Sequence, residues 1–143
     1  MTRSSGSVIL RTMPDKTGFA IGRKVDKPFG EAVERVKAEL QEEGFGVLSE
    51  IDVQATLRDK LGQELEPYLI LGACNPQFAH RGLEIEPDLG VLLPCNVVVR
   101  RDQGSTYVSA MEPISALELA GNPGLEPIAR EASKRIKRAL ERV

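Results

Sequence analysis

The sequence contains no tryptophan, one histidine and two cysteines, and its aromatic residues make up only 4% of the chain. So few aromatic rings disfavour a protein that stacks nucleotide bases, because such proteins depend on aromatic platforms. Two cysteines are too few for a disulfide framework. The formal net charge of −2 creates no basic field that would attract a phosphate backbone. These absences predict a protein with no nucleic-acid partner.

Long apolar runs are also absent. No run in the sequence approaches the roughly 20 residues that a membrane-spanning helix needs. The apolar stretch near the start, SVILRTM, is interrupted by Arg11 and is too short for the core of a signal peptide. We therefore expect a cytoplasmic protein with no membrane partner and with reduced thiols.

Apolar residues are plentiful enough to build one globular core. They make up 41% of the 143 residues, and a chain of this length buries roughly 70% of its unfolded surface when it folds. We expect residues 1–17 to be a variable N-terminal lead, with a candidate short strand in VILRT. Residues 18–143 are expected to form a single domain.

Two kinds of periodicity alternate along residues 18–143 and predict an α+β fold. The expected strands are residues 18–25, 47–53, 67–74, 91–100 and 105–111. Apolar residues at helical spacing predict a first helix with the stripe Phe29, Val33, Val36 and Leu40. A last helix is expected over residues 126–143, with the stripe Ile128, Ala132, Ile136, Ala139 and Val143. We expect a two-layer domain whose sheet is mixed or mainly antiparallel, with helices packed largely on one face.

Residues that favour helix ends divide these elements. Asp26 is predicted to cap the first helix, with Pro28 in its first turn. Gly44 is predicted to end that helix in the left-handed conformation. Asn75 is a good cap for a short helix, and Pro76 suits its first position.

The two cysteines lie in matching surroundings, in the segments GACNP and LLPCN. Each cysteine stands at the end of an apolar run, is followed by asparagine and has a proline within two positions. Asparagine amides donate and accept hydrogen bonds at once, and prolines restrict the backbone. The candidate ligand-binding residues are therefore Cys74, Asn75, Pro76, Pro94, Cys95 and Asn96.

The chemistry of the thiols is open at this stage. Cys74 is expected at a strand-to-helix junction, where the positive end of the helix would lower its pKa and make the thiol reactive. The simpler alternative is that both cysteines are buried as small apolar residues. No residue is assigned a catalytic role, and the sequence does not decide whether the protein is an enzyme.

A metal site has weaker support. Cys74, His80 and Cys95 are the only candidate ligands for zinc or copper, and the chain has neither a CxxC pair nor a paired histidine. We therefore predict no metal site, and we identify no cofactor. The glycine-rich phosphate-binding loop of nucleotide-binding enzymes is also missing from the sequence.

The chain resembles the bacterial and archaeal family known as domain of unknown function 302. The resemblance rests on residues 28–62, on PYLILGACNPQFAHRGL (67–83), on LGVLLPCNVVVR (89–100) and on TYVSAMEP (106–113). It implies a compact α+β domain that forms a homodimer, and it brings no agreed activity. Some relatives occur beside redox and sulfur-handling proteins, which implies a possible thiol role.

Two functions follow from these observations. The first is a homodimeric binding or interaction module that holds a small molecule or a partner protein at the two Cys-Asn motifs. The second is a thiol-dependent redox or sulfur-handling protein that uses Cys74 and Cys95. A low-pKa, solvent-accessible thiol would favour the second function.

Overall fold

The computed structural model of the protein describes residues 18–143, and the strand expected in VILRT lies outside this part of the chain. Five strands form one sheet in the spatial order β1-β5-β4-β3-β2. Every strand pair in the described part of the chain is antiparallel. The predicted α+β class is therefore confirmed.

The bounds of the elements follow the predicted order closely. The strands are β1 (Ala20–Val25), β2 (Gly46–Asp52), β3 (Tyr68–Cys74), β4 (Cys95–Asp102) and β5 (Ser105–Met111). The α-helices are α1 (Phe29–Glu42), α2 (Val53–Leu61), α3 (Pro76–Ile85), α4 (Pro113–Glu118) and α5 (Glu126–Glu141). Two 3-10 helices, Pro87–Leu92 and Pro123–Leu125, precede β4 and α5.

The core lies between the sheet and the two long helices, α1 and α5. Both predicted apolar stripes face it: Val36, Leu40, Ile136 and Ala139 are each 0% exposed. From the sheet, alternate residues such as Leu71, Ala73, Val97, Val99 and Val108 complete the same apolar cluster. The prediction that the helices pack largely on one face of the sheet is confirmed.

A tight turn fixes the pairing of the central strands. Gln103 and Gly104 both have positive φ, at 51° and 86°, as a two-residue hairpin turn with the twist of a sheet requires. This turn sets Val97 opposite Ala110 and Arg100 opposite Tyr107. The turn predicted at RDQG and the hairpin after it are confirmed.

Two predictions about element ends are wrong. Pro28 and not Asp26 occupies the cap position of α1, and among the described residues no side chain caps the helix there. The strand expected over residues 91–100 begins only at Cys95, because Val91 and Leu92 belong to the 3-10 helix that precedes Pro94. Since proline has no backbone N–H, it suits the position immediately before the strand.

The face of the sheet turned away from α1 and α5 is called the outer face below. Strand residues that alternate with the core residues lie on it. One row of register partners crosses it from β2 to β5: Ile51 lies opposite Ile70, Ile70 opposite Val98, and Val98 opposite Ser109. Ile51 is 51% exposed, and Ile70 and Val98 are half-buried.

Candidate functional site

Three neighbouring strand ends bring together the sulfur-containing residues of the part of the chain that the structure describes. Cys74 is the last residue of β3, Cys95 is the first of β4, and Met111 is the last of β5. The register places Cys95 opposite Ala73, immediately before Cys74. The sequence motifs GACNP and LLPCN therefore meet at one end of the sheet.

Asn75 links this end of the sheet to α3. Its side-chain oxygen accepts a hydrogen bond from the backbone N–H of Phe78 at 3.1 Å, which confirms the predicted cap, and Pro76 is the first residue of the helix. The side chain is 7% exposed. Its amide nitrogen lies against Gly44, where an added Cβ would come within 3.0 Å. Asn75 therefore joins α3 to the loop between α1 and β2.

A small cavity of about 40 Å³ lies at the meeting point. Its walls come from the sheet end and from α3, α4 and α5, and include Cys74, Asn75, Cys95, Phe45, Phe78 and Met111. Pockets for small molecules usually measure about 300–1,000 Å³. This cavity therefore has room for a group of only a few atoms, in mainly apolar surroundings.

The remaining three motif residues do not line this cavity. Pro76 is exposed on the first turn of α3. Asn96 is exposed and lies opposite Gly72 on the outer face. Pro94 packs over the same glycine, since a Cβ at Gly72 would lie 2.9 Å from its Cγ. The structure thus separates the six motif residues. Cys74, Asn75 and Cys95 line the cavity, whereas Pro94 and Asn96 lie beside Gly72 on the outer face and Pro76 begins α3.

The pKa of each thiol is shifted upward. Burial raises the pKa of the Cys74 thiol, so the lowering expected from the nearby helix end is wrong. Burial, together with the charge that Cys74 would carry, raises the pKa of Cys95 to about 11. Removing a thiol from water disfavours its charged thiolate form, and this desolvation is the cause of the shift at Cys74. Both thiols are therefore protonated and weakly nucleophilic at neutral pH.

His80 lies apart from the cysteines. Its side chain is 75% exposed on α3, and its Nε2 is 3.8 Å from an oxygen of Glu84 one turn later. Within residues 18–143, no group of three or more histidine, cysteine, aspartate or glutamate side chains is placed to hold a metal ion. The set Cys74, His80 and Cys95 is thus not brought together.

The sequence reasoning missed the apolar residues that complete the cavity. Phe45 and Phe78 meet edge to face, with ring centroids 6.2 Å apart. The Arg135 guanidinium of α5 lies over the Phe78 ring, 5.0 Å from its centroid. Met111 was identifiable from the hairpin turn, because a turn at residues 103–104 brings the end of β5 to the start of β4.

The second candidate site is the outer face. Its apolar row of Ile51, Ile70 and Val98 is flanked by Ser49, Gly72 and Asn96 on one side. On the other side the Arg100 guanidinium stacks on the ring of Tyr107 at 4.7 Å. Apolar side chains in the middle with polar groups around them are typical of a protein–protein interface.

Comparison with known proteins identifies a family and a similar solved structure. The model of a family described as domain of unknown function DUF302 matches residues 21–143. The crystal structure of an uncharacterized conserved DUF302 protein from Bacillus stearothermophilus is similar, with 34% identity and a TM-score of 0.81. The match covers 87% of this chain and 97% of that one. No curated protein matches the chain. No helix in residues 18–143 is long and apolar enough to cross a membrane.

Proposed function

The chain belongs to the family of domain of unknown function DUF302, and on that premise we propose that it is a homodimeric binding module. The second copy docks on the outer face of the sheet. The observation that carries this proposal is the row Ile51, Ile70 and Val98, which runs in register over three strands and stays partly exposed to water.

The composition of the outer face supports a symmetric contact. In a twofold dimer the same patch meets itself, so each apolar side chain in the row is used twice. Covering one valine or isoleucine fully is worth about 1.5–3 kcal/mol. Ser49 and Ser109 have small side chains beside the row, so two sheets can approach closely there. Beside the row, Arg100 stacks on the nearly buried ring of Tyr107, and arginine and tyrosine are both enriched in interfaces.

The module binds a small uncharged ligand at the Cys-Asn end of the sheet. Cys74, Asn75 and Cys95 line the cavity there, and both thiols are protonated at neutral pH. Pro76 and Pro94 restrict the backbone on either side, and Asn96 presents its amide beside Gly72. A volume of about 40 Å³ limits the ligand to a few non-hydrogen atoms unless the cavity opens.

Native mass spectrometry of the purified protein tests both parts of this proposal. We expect a particle of twice the 15.6 kDa chain mass, carrying a small adduct that is lost on denaturation. A dimer without any adduct would reject the ligand site and leave the dimer in place. A mass of one chain at all micromolar concentrations would reject the dimer.

The second candidate function is a thiol-dependent redox or sulfur-handling role. The observation in its favour is that both cysteines border one cavity. The raised pKa values count against it, because a reactive cysteine normally has a lowered pKa. Alkylation of the folded protein at pH 7 separates the two functions. Modification of Cys74 faster than of a free thiol would favour the redox role, and slower modification would exclude it.

A further inference from the structure

A depression at the opposite end of the sheet from the cysteines gathers positive charge. It has a volume of about 350 Å³ and lies between the β1–α1 turn and the β4–β5 hairpin. Lys24, Lys27 and Arg101 line it, and Asp26 is the one acidic residue in its lining. The cysteine cavity and this depression share no lining residue.

The start of α1 contributes further positive potential. Pro28 lines the depression and occupies the cap position, and no side chain from residues 18–143 caps the first turn of the helix. The first backbone N–H groups of a helix have no partner within it, and the helix dipole adds about half a positive charge. A 14-residue helix that begins without a cap is therefore suited to an external anion.

Thr106 gives an independent indication of a missing partner. The residue is 2% exposed, lines the depression, and its Oγ1 has no hydrogen-bond partner within the described part of the chain. A buried hydroxyl without a partner costs free energy, so proteins rarely keep one. An acceptor atom held in the depression would remove this cost. Ser105, which also lines it, adds a second hydroxyl.

We propose that this depression binds the phosphate group of a small molecule. Three cations, two hydroxyls and the first-turn N–H groups of α1 provide more donors than the two oxygens of a carboxylate can use. A phosphate presents three or four oxygens and a charge near −2, which matches this set. Lys27 is held in position because its Nζ donates to the main-chain oxygen of Val143 at 2.7 Å. The volume also leaves space for the rest of a small ligand.

Titration of the full chain with inorganic phosphate at constant ionic strength tests this site. We expect saturable shifts of the backbone N–H signals of Gly104, which lines the depression, and of Gly30 in the first turn of α1. Acetate should bind at least about 10-fold more weakly, because it offers fewer oxygens. Equal binding of acetate, or shifts that never saturate and spread over the whole surface, would overturn the proposal.

Substitutions inside and outside the depression test where phosphate binds. Arg101→Gln should weaken phosphate binding about 10-fold or more, because it removes a charged donor. Thr106→Val should weaken it about threefold or more without lowering the melting temperature, since valine has nearly the same shape. Arg130→Gln, on the exposed side of α5, should leave it unchanged. If Arg101→Gln does not fold, Lys24→Gln replaces it. Unchanged affinity in the variants of the depression would overturn the site.

Discussion

Ile70 of β3 lies directly opposite Val98 of β4 on the outer face of the sheet, and both side chains are half-buried. Neighbouring residues of the same strands, Leu71 and Val97, are 0% exposed on the opposite face, beneath α1 and α5. The apolar pair on the outer face thus has no equivalent cover within the described chain. This asymmetry is the basis of the proposed dimer.

A charge placed in the row should separate the two copies. Val98→Glu puts a carboxylate at the centre of the proposed interface, where it would be buried without a partner. We expect the dimer dissociation constant to rise at least about 30-fold, which corresponds to the roughly 2 kcal/mol that defines a central interface residue. Sedimentation equilibrium measures this constant.

The matched control is Val91→Glu. Val91 is 84% exposed and belongs to the 3-10 helix before β4, so it is not one of the strand residues of the outer face. The same substitution there should leave the dissociation constant within about twofold of the wild type. If Val91→Glu dissociates the dimer and Val98→Glu does not, the interface lies elsewhere.

The Cys95 thiol should make the protein less stable at alkaline pH. Its pKa is raised from 9.0 to about 11 in the folded state, so the unfolded chain ionises first. The contribution of the protonated Cys95 thiol to the free energy of unfolding is fully present below about pH 9 and is lost as the pH rises to about 11. Two pKa units correspond to roughly 3 kcal/mol. Urea unfolding of Cys95→Ala between pH 8 and 11 should therefore show a flatter profile than the wild type.

Cys74→Ala provides the comparison for this experiment. Cys74 is half-buried, and burial raises its pKa without the additional charge effect that acts on Cys95. We expect this variant to keep most of the alkaline loss of stability. Equal slopes for wild type and Cys95→Ala would show that the Cys95 thiol is not desolvated as the structure places it.

Position 44 requires glycine, both for its backbone conformation and for the close approach of the Asn75 side chain. Its φ of 87° is strained for any residue with a Cβ, and the Cβ would lie 3.0 Å from the amide nitrogen of Asn75. Gly44→Ala should therefore lower the free energy of unfolding by about 1–2 kcal/mol. The control Gly30→Ala has ordinary φ and open space around its Cβ, so it should be neutral or slightly stabilising. Equal effects of the two variants would contradict this account.

A cluster of ion pairs at the C-terminal ends of α1 and α5 should weaken in acid. Glu43 accepts hydrogen bonds from Arg138 at 2.9 Å and from Arg142 at 3.0 Å, and these guanidinium groups lower its pKa. A lowered pKa means that the stabilisation exists above the unfolded value of about 4.3 and is lost as the pH falls through the folded value.

Glu43→Gln should therefore lower the melting temperature at pH 7 and make the acid limb of the stability curve shallower. The effect is expected to remain below about 1 kcal/mol, since the arginines are partly exposed. Glu126→Gln is the control, because its pair with Arg130 is 3.7 Å long and about two-thirds exposed on both sides. An acid limb unchanged in Glu43→Gln would contradict the role of these pairs.

Local signals in the sequence were sufficient to predict most of the strands and helices and several of their ends. Asn75 before Pro76 predicted a helix start, and Gly44 predicted a left-handed helix end, because each preference depends on a few neighbouring atoms. The pKa of Cys74 was not predictable in this way. It depends on burial by distant residues such as Phe45 and Ile128, which outweighs the local effect of the helix end.

The apolar row on the outer face was also not predictable from the sequence pattern. Simple alternation puts Ile51 on the same face as Val47. A register shift between Val47 and Ser49 reverses the alternation, so that Ile51 lies on the outer face and Glu50 faces α1. There the Glu50 carboxylate is 2.6 Å from the Nζ of Lys37. A bulge of this kind depends on pairing with another strand and leaves no clear mark in the sequence.

The most direct test of the homodimer is an isotope-filtered NMR experiment on an equal mixture of methyl-labelled and unlabelled chains. We predict intermolecular contacts from the methyl groups of Ile51, Ile70 and Val98 to the same residues in the other chain. Intermolecular contacts that arise only from exposed residues away from the outer face, such as Val91 and Leu119, would contradict the account, as would the absence of intermolecular contacts.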